Sequence, residues 1–191
     1  NELAAELNTK PASVTDMLKR LKEKKLLNYE PYYGVKLNAE GKKLALNIIR
    51  KHRLWEYFLV EKLKFNWDEV HAIAEELEHV SSPELVKRLD DFLGNPRFDP
   101  HGDPIPDHSG KMESINQISL HELKEHTSAI VTGVGDQSSS LLELLNRKNI
   151  NIGTKLEIKQ RNSFDASVEI KLRNQPLVTI SEQLAKKIFV K

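Results

Sequence analysis

The chain has 191 residues, 39% of them hydrophobic, which suits one large domain or two to three small ones, each with a real core. Its 29 basic and 28 acidic side chains leave a formal charge of +1, so the total gives no reading as a strongly basic nucleic-acid protein. The absence of cysteine excludes disulfide scaffolds, thiolate metal sites, iron–sulfur clusters and cysteine nucleophiles, and leaves His, Asp, Glu or carbonyl groups to hold any metal.

Leu3, Ala4 and Leu7 have the spacing of one helix face and precede the polar Asn8-Thr9-Lys10. Pro11 is tolerated in a first helical turn, and Val14, Met17, Leu18 and Leu21 repeat at helical spacing up to about Leu26. Leu27–Glu30 and Gly34–Leu37 then flank Pro31-Tyr32-Tyr33 as a β-hairpin with Gly34 at its turn. Helix, tight turn, helix and hairpin follow one another as in a winged helix. Asn38 can cap a long helix through Leu44, Ile48, Leu54, Phe58 and Leu63, and Asp68 begins another that runs to His79 or Val80. Ser82-Pro83-Glu84 starts a third, with Leu85, Leu89 and Phe92 as its buried stripe.

From Gly94 to Asn116 four prolines and two further glycines exclude regular structure, which predicts an ordered loop followed by a linker. Beyond Gln117 the β-branched runs Ser128–Val134, Lys155–Lys159, Ser167–Leu172 and Leu177–Ile180, with a helix at Ser139–Arg147, predict a small β-barrel. The fold class is mainly α with a β C-terminal domain. The predicted domains are a winged helix-turn-helix over 1–38, a helical domain over 39–106, a linker over 107–116 and a small β-barrel over 117–191. Charge follows this division. Residues 1–50 hold 10 basic and 6 acidic groups, 51–100 hold 7 and 11, 101–150 hold 4 and 7, and 151–191 hold 8 and 4. No run approaches a membrane span and the start lacks signal-peptide features, so a soluble cytoplasmic protein without a membrane partner is expected. The opening residues already read as helix and there is no initiator Met, so further chain is expected upstream.

The stretch from Val70 to Val80 carries the most chemistry. With His71 at 0° on a helical wheel, Glu75 falls at about 40°, Glu78 at about 340° and His79 at about 80°. Val70, Ile73, Ala74, Leu77 and Val80 form a separate apolar stripe. Glu75, Glu78 and His79 stand at i, i+3 and i+4, where side chains of adjacent turns converge. Such a set suits Mn²⁺ or Fe²⁺ and does not exclude Zn²⁺. Upstream, His52 and Glu56 form a second i, i+4 pair. If the two helices pack antiparallel, His71 completes a His-Glu-His site with it. The competing reading of these residues is a solvated helix face. His101 lies in the Pro- and Gly-rich loop and reads as part of a turn; His108, His121 and His126 read as surface histidines.

Arg50-Lys51-His52-Arg53-Leu54-Trp55-Glu56, then Val70-His71, then Glu75-Glu76-Leu77-Glu78-His79-Val80, then Phe98-Asp99-Pro100-His101-Gly102-Asp103-Pro104-Ile105-Pro106, closely resemble the diphtheria-toxin-repressor family of bacterial metal-dependent repressors. The resemblance spans nearly the whole chain and implies a DNA-binding winged helix, a dimerising metal-binding middle and an SH3-like (FeoA-like) barrel. It implies an ancillary metal site at His52, Glu56 and His71 and a primary site at Glu75, Glu78 and His79. Arg53 matches a residue that helps hold an anion beside the ancillary metal. Glu75 stands where iron-responsive members have Cys and manganese-responsive members a carboxylate, which favours Mn(II), with Fe(II) as the alternative. The family also draws metal ligands from a helix that would precede Asn1. Gln137 matches a barrel residue that can reach the ancillary metal, whereas Val134 replaces its Glu partner.

With Val14, Leu18 and Leu21 turned inward, Ala12, Ser13, Thr15, Asp16 and Lys19 face the major groove, flanked by Lys10, with Tyr33 and Lys36 on the wing. The implied protein is a homodimer on a palindromic operator, with metal as corepressor for metal-uptake genes, and not an enzyme. The rivals are a metallohydrolase with ions held by His and Glu, and a peptide-binding module formed by the barrel.

Overall fold

Ala4, Val14, Leu18 and Leu27 are buried against one another, with Leu21 and Tyr29 at the edge, and this cluster joins the first elements. In a computed structural model, which describes residues 2–30, 34–80 and 82–191, these elements are α1 (Glu2–Glu6), α2 (Pro11–Glu23) and the antiparallel strands β1 (Leu27–Glu30) and β2 (Gly34–Leu37). Pro11 sits in the first turn of α2, where its missing N–H leaves no helical bond unmade. α3 (Ala39–Glu61) follows directly, capped by the Asn38 side chain, which accepts from the Gly41 N–H and donates to the Lys25 carbonyl. Gly41 is required there, because a β-carbon would overlap the Leu26 carbonyl. The root of the wing is thereby pressed against the helix that carries the metal-type residues.

α3 packs against α4 (Val70–Val80) through Leu59, Val70 and Ala74, and against α5 (Pro83–Leu93) through Leu54, Val86, Leu89 and Leu93. α4 begins at Val70 and not at Asp68. Residues 67–69 form a turn in which the Asp68 carboxylate accepts from Asn146 instead of capping the helix. α5 is capped by Ser82 and ends at Gly94 in the left-handed conformation. Its buried side is Val86, Leu89, Asp90 and Leu93, whereas the expected Leu85 and Phe92 face outward, 43% and 64% exposed. Both sets have helical spacing. The ion pair of Asp90 with Arg50 on α3 turns the former inward.

The loop after α5 is held by polar contacts. The Asp99 carboxylate accepts from the N–H groups of His101 and Asp103, at 2.8 and 2.9 Å, while Arg53 and Arg50 each donate at 2.6 Å to the carbonyls of Pro104 and Pro106.

The C-terminal domain contains β3 (Ile118–Ser119), β4 (Ser128–Val134), α6 (Ser139–Arg147), β5 (Lys155–Arg161), β6 (Val168–Leu172), β7 (Leu177–Ile180), α7 (Glu182–Lys187) and β8 (Ile188–Val190). Among the described residues these strands form one antiparallel sheet in the order β3-β8-β4-β5-β6-β7, bulged between Val131 and Gly133 and between Ile158 and Gln160. The expected small barrel is present as a sheet that does not close: among the described residues the two-residue β3 pairs only with β8, and β7 only with β6. Leu142, Leu145, Ile150, Ile158, Ile170 and Ile188 fill its core, and Trp67 enters that same core from the helical domain. No helix among the described residues is long and apolar enough to cross a membrane.

Candidate metal centre

His52 and Glu56 lie one turn apart on α3, and the packing of Val70 and Ala74 onto Leu59 brings His71, in the first turn of α4, to face them. His52 Nε2 is 2.9 Å from Glu56 Oε1 and 3.0 Å from His71 Nδ1, and His71 Nδ1 is 3.3 Å from the same Glu56 oxygen. These three form one cluster of ligand atoms. On its far side His52 Nδ1 is 3.1 Å from Glu78 Oε2, so a carboxylate stands at each ring nitrogen. Burial opposes charging of this imidazole, but the hydrogen bonds and charges of Glu56 and Glu78 outweigh it and raise its pKa.

Glu56 is fully buried, and its second oxygen points into another cluster. Glu56, Asp99 and His101 bring their ligand atoms within 4.8 Å of one another, all three buried. His101 Nδ1 is 3.7 Å from Glu56 Oε2, beyond hydrogen-bond reach. Glu56 Oε2, Asp99 Oδ2 and His101 Nδ1 are all buried without a hydrogen-bond partner. Asp99 Oδ2 has the Arg53 guanidinium 3.4 Å away, but none of the three atoms makes a hydrogen bond, and two buried carboxylate oxygens and an imidazole nitrogen converging in this way cost free energy that a cation between them would offset. Burial opposes ionisation of Glu56, yet the imidazoles of His101 and His52 hold its pKa at about 2. Burial and then the neighbouring Glu56 charge push Asp99 up to about 6. One carboxylate thus serves an outer cluster with His52 and His71 and an inner cluster with Asp99 and His101, and the residues present fit a divalent ion held by nitrogen and oxygen.

The inner pair was missed in the sequence because loop ligands have no periodicity. His101, read there as a turn residue, is 0% exposed and belongs to the cluster. The available signal was a carboxylate and an imidazole two residues apart, inside a motif whose prolines and glycine accounted for it as a turn.

The other predicted residues are placed as follows. Glu75, Glu78 and His79 do not converge as a ligand cluster among the described residues. Glu78 turns to His52, Glu75 Oε1 lies 3.7 Å from His71 Nε2, and His79 is exposed. Gln137 donates at 2.9 Å to Asp103, beside the inner cluster and not into it, while Val134 is buried in the C-terminal core. The partners of Arg53 are Asp99, Asp103 and the Pro104 carbonyl. On α2, Ala12, Ser13, Asp16 and Lys19 are exposed, as are Lys10 before it and Lys36 on β2. Asp16 and Lys19 stand 4.0 Å apart, and the Thr15 hydroxyl donates to the Pro11 carbonyl. Tyr33 lies outside the described residues.

Three family descriptions match the chain in series. "Iron dependent repressor, N-terminal DNA binding domain" covers residues 1–35, "Iron dependent repressor, metal binding and dimerisation domain" covers 38–107, and "FeoA domain" covers 118–191. The solved structure of a manganese-dependent transcriptional repressor in complex with manganese is 30% identical, with a TM-score of 0.88 over 98% of this chain and 87% of that one. The iron-dependent repressor of Mycobacterium bovis is 36% identical over 54% of this chain and 45% of its own length. The diphtheria toxin repressor of Corynebacterium jeikeium is 30% identical over 73% of this chain and 58% of its own. The match thus spans about half the length of these two curated relatives. All three are named as repressors, two of them metal-dependent, which favours the repressor reading of these residues over the metallohydrolase one. With three domains matched in order and the repressor fold superposed over nearly its whole length, the chain belongs to the diphtheria-toxin-repressor family of metal-dependent transcriptional repressors, in the form that carries a C-terminal FeoA (SH3-like) domain.

Proposed function

We propose that the chain is a cytoplasmic, homodimeric repressor that binds palindromic operator DNA when divalent metal is abundant, with Mn(II) as its corepressor and metal-uptake genes as its targets. The observation that carries this reading is Glu56, one buried carboxylate shared by ligand clusters drawn from α3, α4 and the 99–101 loop. When bound, the ion supplies positive charge to the buried atoms that lack a hydrogen bond and makes the relative placement of those segments depend on metal. His52, Glu56 and His71 are the outer ligands, and Glu56, Asp99 and His101 the inner ones. Glu75, Glu78 and His79, by their spacing on α4, are a further candidate set.

α3 continues back to the wing through the close contact of Gly41 with Leu26, so its placement is transmitted to α2. There Ser13, Asp16 and Lys19 would meet the major groove, with Ala12, Thr15 and Lys10 beside them, and Lys36 and Tyr33 would meet the backbone from the wing. Arg53, tied to Asp99 and Asp103, holds the ligand loop against α3, and Gln137 holds Asp103 from the C-terminal domain.

Carboxylates and imidazoles without a thiolate favour Mn(II), and the structural relative bound to manganese supports it; Fe(II) is the alternative. The test compares Mn²⁺, Fe²⁺ and Zn²⁺ titrations of binding to duplexes selected from a random pool. Activation at lower free Mn²⁺ than Fe²⁺ supports the assignment, and the reverse order assigns iron.

A further inference from the structure

We infer that Asn146, in the C-terminal domain, is a positioning residue for the inner cation cluster and acts on His101 through Trp67. The inference rests on the reading of Glu56, Asp99 and His101 as cation ligands. His101 Nε2 lies 2.8 Å from the Trp67 carbonyl. A carbonyl only accepts, so Nε2 carries the proton and donates, which leaves Nδ1 as the atom available to an ion. The orientation of the Trp67–Asp68 peptide therefore decides which ring nitrogen faces Glu56 and Asp99.

One asparagine holds both side chains that flank that peptide. Trp67 Nε1 donates to Asn146 Oδ1 at 2.7 Å, and Asn146 Nδ2 donates to Asp68 Oδ1 at 3.1 Å. The Trp67 indole is stacked on the His101 ring, with centroids 5.9 Å apart and planes at 17°, and its outer side lies in the C-terminal core. The backbone of the same histidine is held from that domain as well. The His101 carbonyl accepts from the Val134 N–H at 3.2 Å, and Gly102 has room against β4 only because it lacks a β-carbon. His101 is thus held on its ring and on its backbone by the C-terminal domain, although that domain gives no ligand atom to the cluster among the described residues. Partners that fix the tautomer and orientation of a ligating histidine are typically worth about 10- to 100-fold in metal affinity. Because such coupling is reciprocal, ion binding tightens the docking of the C-terminal domain by the same factor.

The test uses metal-free full chain carrying Trp55→Phe, which leaves Trp67 as the sole tryptophan, and His71→Ala, which disables the outer cluster. Mn²⁺ is titrated by calorimetry and followed by Trp67 emission. The expected result is Mn²⁺ binding that alters the emission, weakened about tenfold or more by Asn146→Leu. The exchange Asn146→Asp with Asp68→Asn keeps an acceptor for the indole and a donor–acceptor pair with position 68, and is expected to restore the affinity. Outer-cluster affinity, measured in a His101→Ala background, is expected to be indifferent to Asn146→Leu. Unchanged inner affinity in Asn146→Leu, failure of the exchange to restore it, or an equal loss at the outer cluster overturns the inference alone. No Mn²⁺ binding by the reference protein overturns it together with the reading on which it rests.

Discussion

Replacing Glu56 by Gln keeps the shape of a fully buried side chain and removes the one charge that both clusters share. The imidazoles of His101 and His52 already hold this carboxyl at about 2 against an ordinary 4.5, in spite of the burial that opposes its ionisation. At 1.36 kcal/mol per unit, the anion is favoured on balance by about 3 kcal/mol after the cost of burial has been met. A divalent ion between the same groups draws on the same charge, so its loss is expected to cost an energy of the same order. Glu56→Gln is therefore expected to weaken Mn²⁺ binding at each cluster by about 100-fold or more. His71→Ala should weaken only the outer cluster, and His101→Ala only the inner one. Calorimetric titration of the metal-free proteins reads the two steps separately. A Glu56→Gln protein that loses one step and keeps the other at its original affinity would refute the sharing of this carboxylate.

Protons compete with the ion. His52 is raised by Glu56 and Glu78 against its burial, and Asp99 by burial and Glu56 to about 6, so the metal-free protein holds protons near neutrality that an ion must displace. Apparent Mn²⁺ affinity should fall as pH is lowered from about 7.5 to about 5.5, with proton release visible in buffers of different ionisation enthalpy; a flat profile contradicts the ligand assignment. Gly102→Ala should cost about 1–2 kcal/mol for its left-handed backbone, and more for overlap with the Thr132 carbonyl, in urea unfolding. Gly94→Ala, at φ +77 in open space, should pay the conformational cost alone, and equal losses would count against the domain contact. Lys19→Ala should weaken DNA binding evenly across sequences and lower the salt slope by about 0.9; an unchanged slope removes Lys19 from the phosphate contacts.

Periodicity located the parts of the fold where one residue spacing has one structural solution. The cap at Asn38, the helix start at Ser82-Pro83-Glu84, the strands Ser128–Val134 and Leu177–Ile180 and the helix Ser139–Arg147 lie where the sequence places them. Spacing failed where two solutions compete. Leu85, Leu89 and Phe92 fit a helical stripe as well as Val86, Leu89 and Leu93 do, and the choice rests on the tertiary pair Arg50–Asp90. The two-residue β3 and the three-residue β8 are too short to leave an alternation, and the open sheet follows from pairings that no local pattern encodes. The outer cluster was legible because His52 and Glu56 share a helix face, and antiparallel packing of the next helix, together with the family resemblance, adds His71. Asp99 and His101 were not, since a loop brings them under α3 through the hydrogen bonds of Asp99, the contacts of Arg53 and the close fit of Gly102.

Metal dependence of repression is read most simply from the affinity of the protein for its selected duplex DNA, by fluorescence anisotropy with saturating Mn²⁺ and again with the metal chelated. A complete two-state switch corresponds to about 10⁴-fold in differential affinity, so chelation is expected to lower DNA affinity by orders of magnitude, an effect mimicked at limiting Mn²⁺ by Glu56→Gln. Equal affinity in the two conditions would contradict metal dependence.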